Sequence, residues 1–130
     1  MKKRHTPTPC PCGSNSSYEA CCGRFHRKEA FAPNAEALMR SRYSAFVKKD
    51  VEYLLATWHA STRPRDLTLD DPIRWVSLKV VEFIPGETEA FVTFEARGKY
   101  SGRAFCQSEK SRFVFEEGAW YYVDGEVDEQ

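Results

Sequence analysis

After Pro72 the apolar residues change period. Up to that point they recur every three or four positions, and beyond it they alternate. Four alternating runs follow, Ile73 to Ile84, Glu89 to Tyr100, Arg103 to Phe115 and Ala119 to Asp124. They are separated by the turn formers Pro85-Gly86-Glu87, Ser101-Gly102 and Glu116-Glu117-Gly118. Four strands joined this closely read as an antiparallel meander. Helices precede it. Asn34 is placed to cap a helix running to Lys49, with Met39, Tyr43, Phe46 and Val47 on one stripe. Asp50 is placed to cap a second, with Val51, Leu54, Leu55 and Trp58 at helical spacing. Residues 65–72 are expected to add one helical turn that buries Leu67 and Leu69. Helices followed by a meander give an α+β fold, with the helices packed on one face of a curved antiparallel sheet.

A chain of 130 residues, 42% apolar and 14% aromatic, can build one core. Its formal charge is zero, which argues against a DNA-binding protein. The charge is nevertheless divided. Residues 1–30 hold six basic and two acidic side chains, whereas residues 114–130 hold six acidic and no basic ones. Met1-Lys2-Lys3-Arg4 is followed by polar, Pro-rich residues instead of an apolar leader, and no apolar run is long enough for a membrane. A cytoplasmic location is therefore expected.

Four of the five cysteines fall in Cys10-Pro11-Cys12-Gly13-Ser14-Asn15-Ser16-Ser17-Tyr18-Glu19-Ala20-Cys21-Cys22. Disulfides are one reading, but bridges between adjacent cysteines or across C-x-C are strained. Iron–sulfur ligation is another, and the spacing matches neither common ferredoxin pattern. A closed tetrahedral site for a structural Zn²⁺ fits the set best, with Cys10, Cys12, Cys21 and Cys22 as ligands. His26 is a substitute ligand for Cys22, and His5 a weaker one. Gly13 and Gly23 follow the two cysteine pairs, where a chain bending round a metal needs positive φ. Tyr18 to Cys22 is expected to form a short helical turn. These features define a knuckle over residues 1–30, ahead of an α+β domain over 31–130.

The pattern C-x-C-G-S-x-x-x-[YF]-x-x-C-C resembles the SEC-C motif at the C-terminus of the SecA translocation ATPase. That module contacts an export chaperone and the ribosome, so the resemblance implies a protein or ribosome partner for the knuckle. The order of helices and long strands is similar to the cone-shaped fold of nuclear transport factor 2 and ketosteroid isomerase. Ala35 to Tyr43, Tyr53 to His59, Ser61 to Pro64, Ser111 to Phe113 and Trp120 to Gly125 together resemble the bacterial YchJ family. That family combines a SEC-C knuckle with a cone domain and has no established biochemical role. At Gln107-Ser108-Glu109-Lys110 the chain lacks the histidine expected before the glutamate, which argues against a His–Glu pair on this strand.

A cone fold offers a pocket between sheet and helices. Counting by twos along the third strand puts Phe105, Gln107, Glu109, Ser111, Phe113 and Phe115 on one face. Glu109 and Ser111 are expected to line the pocket with Arg42, Tyr43, Trp58 and His59 from the helices and Trp120 and Tyr122 from the last strand. Three functions remain open, the third being nucleic-acid binding through the knuckle. One is a zinc-binding adaptor whose knuckle, through its basic surround, docks on an acidic protein surface or ribosomal RNA. Its cone domain then holds a small ligand or a second partner. Another is a small-molecule enzyme of isomerase or dehydratase type. Glu109 or His59 would act as base there, with Tyr43 or Tyr122 as hydrogen-bond donor. Against that stand a Glu109 ion pair with Arg42 or Arg112 and a His59 that only ends a helix. Tyr18, Arg24 and Phe25 are candidate RNA contacts. Cys106 reads as an inert thiol on the opposite face. Dimerisation through the open sheet face is a further expectation.

Overall fold

The computed structural model describes residues 8–129, so His5 and most of the basic lead-in lie outside the described residues. Three helices, α1 (Cys22–His26), α2 (Ala35–Lys48) and α3 (Val51–Ala56), precede four strands. These are β1 (Ile73–Ile84), β2 (Glu89–Tyr100), β3 (Arg103–Glu116) and β4 (Ala119–Glu129). The strands form one antiparallel sheet in chain order, β1-β2-β3-β4. The fold is therefore α+β, with the helices on the concave face of a meander. No helix among the described residues is long and apolar enough to cross a membrane.

Local chemistry sets the boundaries. The Asn34 side chain accepts from the amide of Ala37 at 2.8 Å, and that of Asp50 accepts from Tyr53 at 3.1 Å. Lys49 ends α2 in the left-handed region at φ 58°. Ser101-Gly102 and Glu117-Gly118 both take positive φ at their two residues, the geometry of two-residue hairpin loops whose twist matches the strands.

Strand β1 departs from simple alternation. Its pairing with β2 slips between Trp75 and Ser77, and again between Val80 and Glu82. Each slip is a bulge carrying one extra residue, Val76 and Val81, and both side chains are exposed. The bulges reset the phase so that Trp75, Leu78, Val80 and Phe83 all reach the core. They also bend the strand, which curves the sheet around α2. Gly98 sits opposite the first slip; a Cβ there would stand 2.9 Å from both the Arg74 carbonyl and the Phe105 ring.

Two apolar clusters result. Leu38, Met39 and Tyr43 of α2 pack on Ala90, Val92, Ala96 and Phe113 of the sheet. On the other side of α2, Phe25, Ala45, Tyr53 and Leu54 form a second cluster. Helix α2 is thus buried on more than the stripe Met39, Tyr43, Phe46 and Val47, since Ser41, Arg42, Ser44 and Ala45 are also enclosed.

Three expectations are corrected. Residues 65–72 form no helix. Leu67 and Leu69, two apart, reach the second cluster from an irregular segment bounded by Pro64 and Pro72. The short helix near the cysteines starts at Cys22 instead of Tyr18, because Ser17 is engaged in a bridge with Pro9. Strand β4 continues past Asp124 to Glu129. Its acidic end pairs with β3, setting Glu126 opposite Lys110 and Val127 opposite Glu109.

Candidate functional site

The described residues hold two places where chemistry-bearing side chains converge, one on each side of α2. The first is the cysteine cluster. Tyr18 donates its amide to Thr8 O at 2.8 Å, and Cys10 donates to Ser16 O at 2.9 Å, which folds the chain back on itself. Gly13 takes φ +82°, as the turn after C-x-C requires. Gly23 is needed for a different reason. It lies inside α1, and a Cβ there would stand 2.7 Å from the Tyr18 carbonyl that its own amide bonds. One ligand atom from each of Cys10, Cys12, Cys21 and Cys22 lies within 4.8 Å of all the others, and all four are free thiols. Such a group can hold a metal ion. Cys10, Cys12 and Cys22 are buried, and Cys21 is partly open.

The thiols differ electrostatically. Hydrogen bonds from Cys12 and Cys22, with help from Ser44, hold the Cys10 thiol well below its usual range. The Cys22 thiol is pushed up by its hydrogen bonds to Cys10 and Cys12 and by burial.

The cluster is anchored to α2. Cys10 Sγ lies 3.5 Å from Ser44 Oγ, and Arg40 Nη1 donates to Cys12 O at 2.8 Å. His26, the substitute ligand expected from sequence, is engaged elsewhere. Its Nε2 donates to Ser41 O at 2.8 Å, which leaves Nδ1 to accept from Tyr18 OH at 2.6 Å. Ser41 Oγ donates to Leu38 O and accepts from Tyr53 OH, each at 2.7 Å. Tyr18, His26, Ser41 and Tyr53 thus form a polar chain linking knuckle, α2 and α3. Phe25, a candidate RNA contact, is buried in the second cluster, and Tyr18 lies under Lys48, whose Nζ is 4.2 Å from the ring centroid.

The second place is a cavity of about 210 Å³ between α2 and the sheet. Arg42 and Tyr43 of α2, Trp58 beyond α3, Glu109 and Ser111 of β3 and Tyr122 of β4 line it. Glu109 Oε2 accepts from Ser111 Oγ at 2.5 Å and from Tyr122 OH at 3.4 Å. Gly125 underlies that carboxylate; a Cβ at this position would collide with it. Arg42 is only 5% exposed. Its Nη1 donates to Leu54 O at 2.8 Å and to Thr57 Oγ1 at 2.7 Å, and its guanidinium stacks on Trp58 and Tyr122. Burial lowers its pKa to about 10, opposed by Tyr122, Tyr53 and Glu109.

Several expected partners do not meet. His59 is absent from the cavity lining. Its Nε2 contacts Glu116 Oε2 at 2.9 Å and its Nδ1 faces Ser61 Oγ. The cause is a bridge between Trp58 and Tyr122, which gives consecutive residues opposite faces and sends Trp58 inward. Trp120 packs on Phe115 and lines a separate hollow beside Ala119 and Tyr121. Glu109 forms no ion pair with Arg42 or with Arg112, which pairs with Glu89 and Asp124. Of Glu109, His59 and Tyr43, only Glu109 and Tyr43 share the cavity. Sequence reading missed Trp75, Phe94 and Ala96 as lining residues. The period-two row of β2 would have pointed to the last two, while the bulges obscured Trp75.

The phenols predict an alkaline response. Burial raises Tyr43 and Tyr53 to about 12 and moves Tyr122 further in the same direction. A phenol with a raised folded pKa stabilises below its unfolded value near 10 and loses that contribution as pH rises through 12. Arg42, lowered from 12.5 to about 10, acts oppositely across the same window. Three phenols against one guanidinium leave a net loss. Urea midpoints are expected to fall steadily from pH 9.5 to 11.5, with tyrosinate absorbance from these three phenols appearing only on unfolding. A flat profile would contradict the buried phenols.

Residues 34–125 match the model for the YchJ middle NTF2-like domain, and residues 8–24 match the SEC-C motif. The chain belongs to the YchJ family. Its YchJ-type relatives include a UPF0225 protein of Cupriavidus pinatubonensis, 50% identical over 95% of this chain and 92% of the relative. Another, from Streptomyces coelicolor, is 53% identical over 92% of this chain and 97% of the relative. Among solved structures, the solution structure of a SEC-C motif containing protein from Rhodopseudomonas palustris superposes with a TM-score of 0.84. It is 30% identical and covers 92% of this chain and 98% of that one. The crystal structure of a SEC-C motif containing protein from Psychrobacter arcticus gives 0.78 at 28% identity, over 90% and 81% of the two chains. The YchJ assignment accounts for both the cone domain and the cysteine cluster, and names no reaction.

Proposed function

We propose that the protein is a zinc-binding adaptor, in which the metal shapes a docking surface and the cone cavity holds a small ligand. The observation that carries this reading is the thiol geometry. A tetrahedral Zn²⁺ with Zn–S bonds near 2.3 Å needs sulfurs about 3.8 Å apart. Cys12 and Cys21 stand 3.7 Å apart, and all four sulfurs lie within 4.8 Å. Four thiolates leave no open coordination position, so the ion would serve structure alone. A reducing compartment such as the cytoplasm keeps the thiols free to bind it.

The surface around the cluster supports docking. Arg24, Lys48 and Lys49 are exposed, and none has a carboxylate partner among the described residues. They favour an acidic macromolecular surface. The enzymatic reading rests on Glu109 and Tyr43 facing one cavity. It is weaker, because His59, the other base, lies elsewhere.

The test combines metal analysis with affinity capture from native cell extract. Intact protein is compared with Cys21→Ser/Cys22→Ser and with Arg24→Glu/Lys48→Glu/Lys49→Glu. One zinc per intact chain is expected, with the same partners lost from both variants while the charge variant keeps its zinc. Identical partner lists for all three would refute the adaptor reading. A folded protein purified without metal would refute the zinc.

A further inference from the structure

The cavity carries a statement about its ligand, which rests on reading it as a ligand site. We propose that it binds a neutral, flat aromatic molecule of one or two rings that presents an N–H or O–H to Glu109.

Size is the first constraint. An apolar cavity of about 150 Å³ suffices for benzene, so about 210 Å³ accepts one ring or a small fused pair. Shape is the second. Tyr43, Trp75, Phe94 and Phe113 supply ring surfaces to the lining, which suits stacked or edge-on aromatic contact. Such walls add no preference for a flexible chain.

Polarity is the third. Ser111 and Tyr122 both donate to Glu109 Oε2. Among the described residues no donor reaches Oε1, although the carboxylate is a cavity wall. A carboxylate has about four lone-pair sites, so a ligand donor completes a group that is already positioned. The Gly125 backbone beneath and the two hydroxyls beside it restrict its orientation.

Charge is the fourth constraint. A carboxylate among aromatic rings would ordinarily suit a cation. Here the faces of Trp58 and Tyr122 are already taken by Arg42, whose centre lies 4.9 and 4.6 Å from their centroids. Its positive charge balances Glu109 within the same walls. A ligand cation would face Arg42, and a ligand anion would face Glu109. Neither meets an uncompensated opposite charge, so the neutral donor is preferred.

Four probes test this on the full chain: indole, its isostere benzothiophene without the N–H, benzylammonium and benzoate. Calorimetry gives affinity, and amide chemical shifts along β3 locate binding. Indole is expected to bind about tenfold tighter than benzothiophene, as a hydrogen bond to a charged group implies. Both charged probes should bind more weakly than indole. In Glu109→Met the indole advantage should vanish while benzothiophene still binds, which shows that the variant's cavity is intact. Equal affinity for indole and benzothiophene, or preference for either charged probe, overturns the ligand class and leaves the cavity as a ligand site. Failure of all four to bind or to shift β3 overturns both.

Discussion

In a chain carrying the proposed zinc, Cys12→Ser is expected to lose the metal and to lower the unfolding free energy by about 3–5 kcal/mol. Structural zinc sites carry folding energy outright, with apparent binding free energies of roughly 10–16 kcal/mol in finger peptides. Only part of that is at stake here, because the cone domain has a core of its own. The lost part is nevertheless large. Cys12 is fully buried and its carbonyl receives Arg40. If the proposed metal closes the knuckle, its loss would also release Phe25 from Ala45, Tyr53 and Leu54. Burial of one such aromatic ring alone stabilises by roughly 1.5–3 kcal/mol. Cys21→Ser should be milder, since Cys21 is partly exposed. Zinc content and denaturant midpoints measured on the same samples decide the matter. A metal-free Cys12→Ser protein with an unchanged midpoint would show that the knuckle does not support the fold.

Arg42→Met is expected to cost about 2–3 kcal/mol, the range for removing a charged donor from buried hydrogen-bond acceptors. Arg42 satisfies Leu54 O near the C-terminal end of α3, where helix carbonyls carry partial negative charge, and it also donates to Thr57 Oγ1. Methionine fills much of the volume but leaves that carbonyl with only a long contact from Thr57 Oγ1 at 3.4 Å, and removes the positive charge that shares the cavity walls with Glu109. Arg42→Lys should recover only part of the loss, because a compact ammonium cannot both bond Leu54 and Thr57 and lie flat on two rings. Combining Arg42→Met with Glu109→Met should cost less than the sum of the two. Additive losses would mean that the two charges do not interact across the cavity.

Much of this was legible in the chain. Asn34 and Asp50 announced the helix starts, because a cap is a local hydrogen bond. Counting by twos along β3 put Gln107, Glu109, Ser111 and Phe113 on one face, and all four line the cavity. That count holds because β3 pairs with β2 without a slip. It fails where pairing is irregular. A bulge depends on both strands, so neither Val76 nor Val81 marks itself in β1 alone. The inward turn of Trp58 and outward turn of His59 depend on a bridge to Tyr122, 64 positions beyond Trp58, which local pattern cannot show. From sequence the last strand is expected to end at Asp124, because the pairing partners of the acidic run beyond it, Gln107 to Lys110, lie on another strand.

The position of α2 has a consequence for synthesis. The knuckle touches it across separations of 28 and 34 residues, and every sheet contact lies further along the chain. At roughly 5–20 residues per second, the cysteine segment and its helix leave the ribosome several seconds before β4 is complete. During that interval Leu38, Met39 and Tyr43 have no sheet to cover them. A metal taken up early would fix the orientation of α2 first, so that each hairpin, as it emerges, docks on a face already turned toward it.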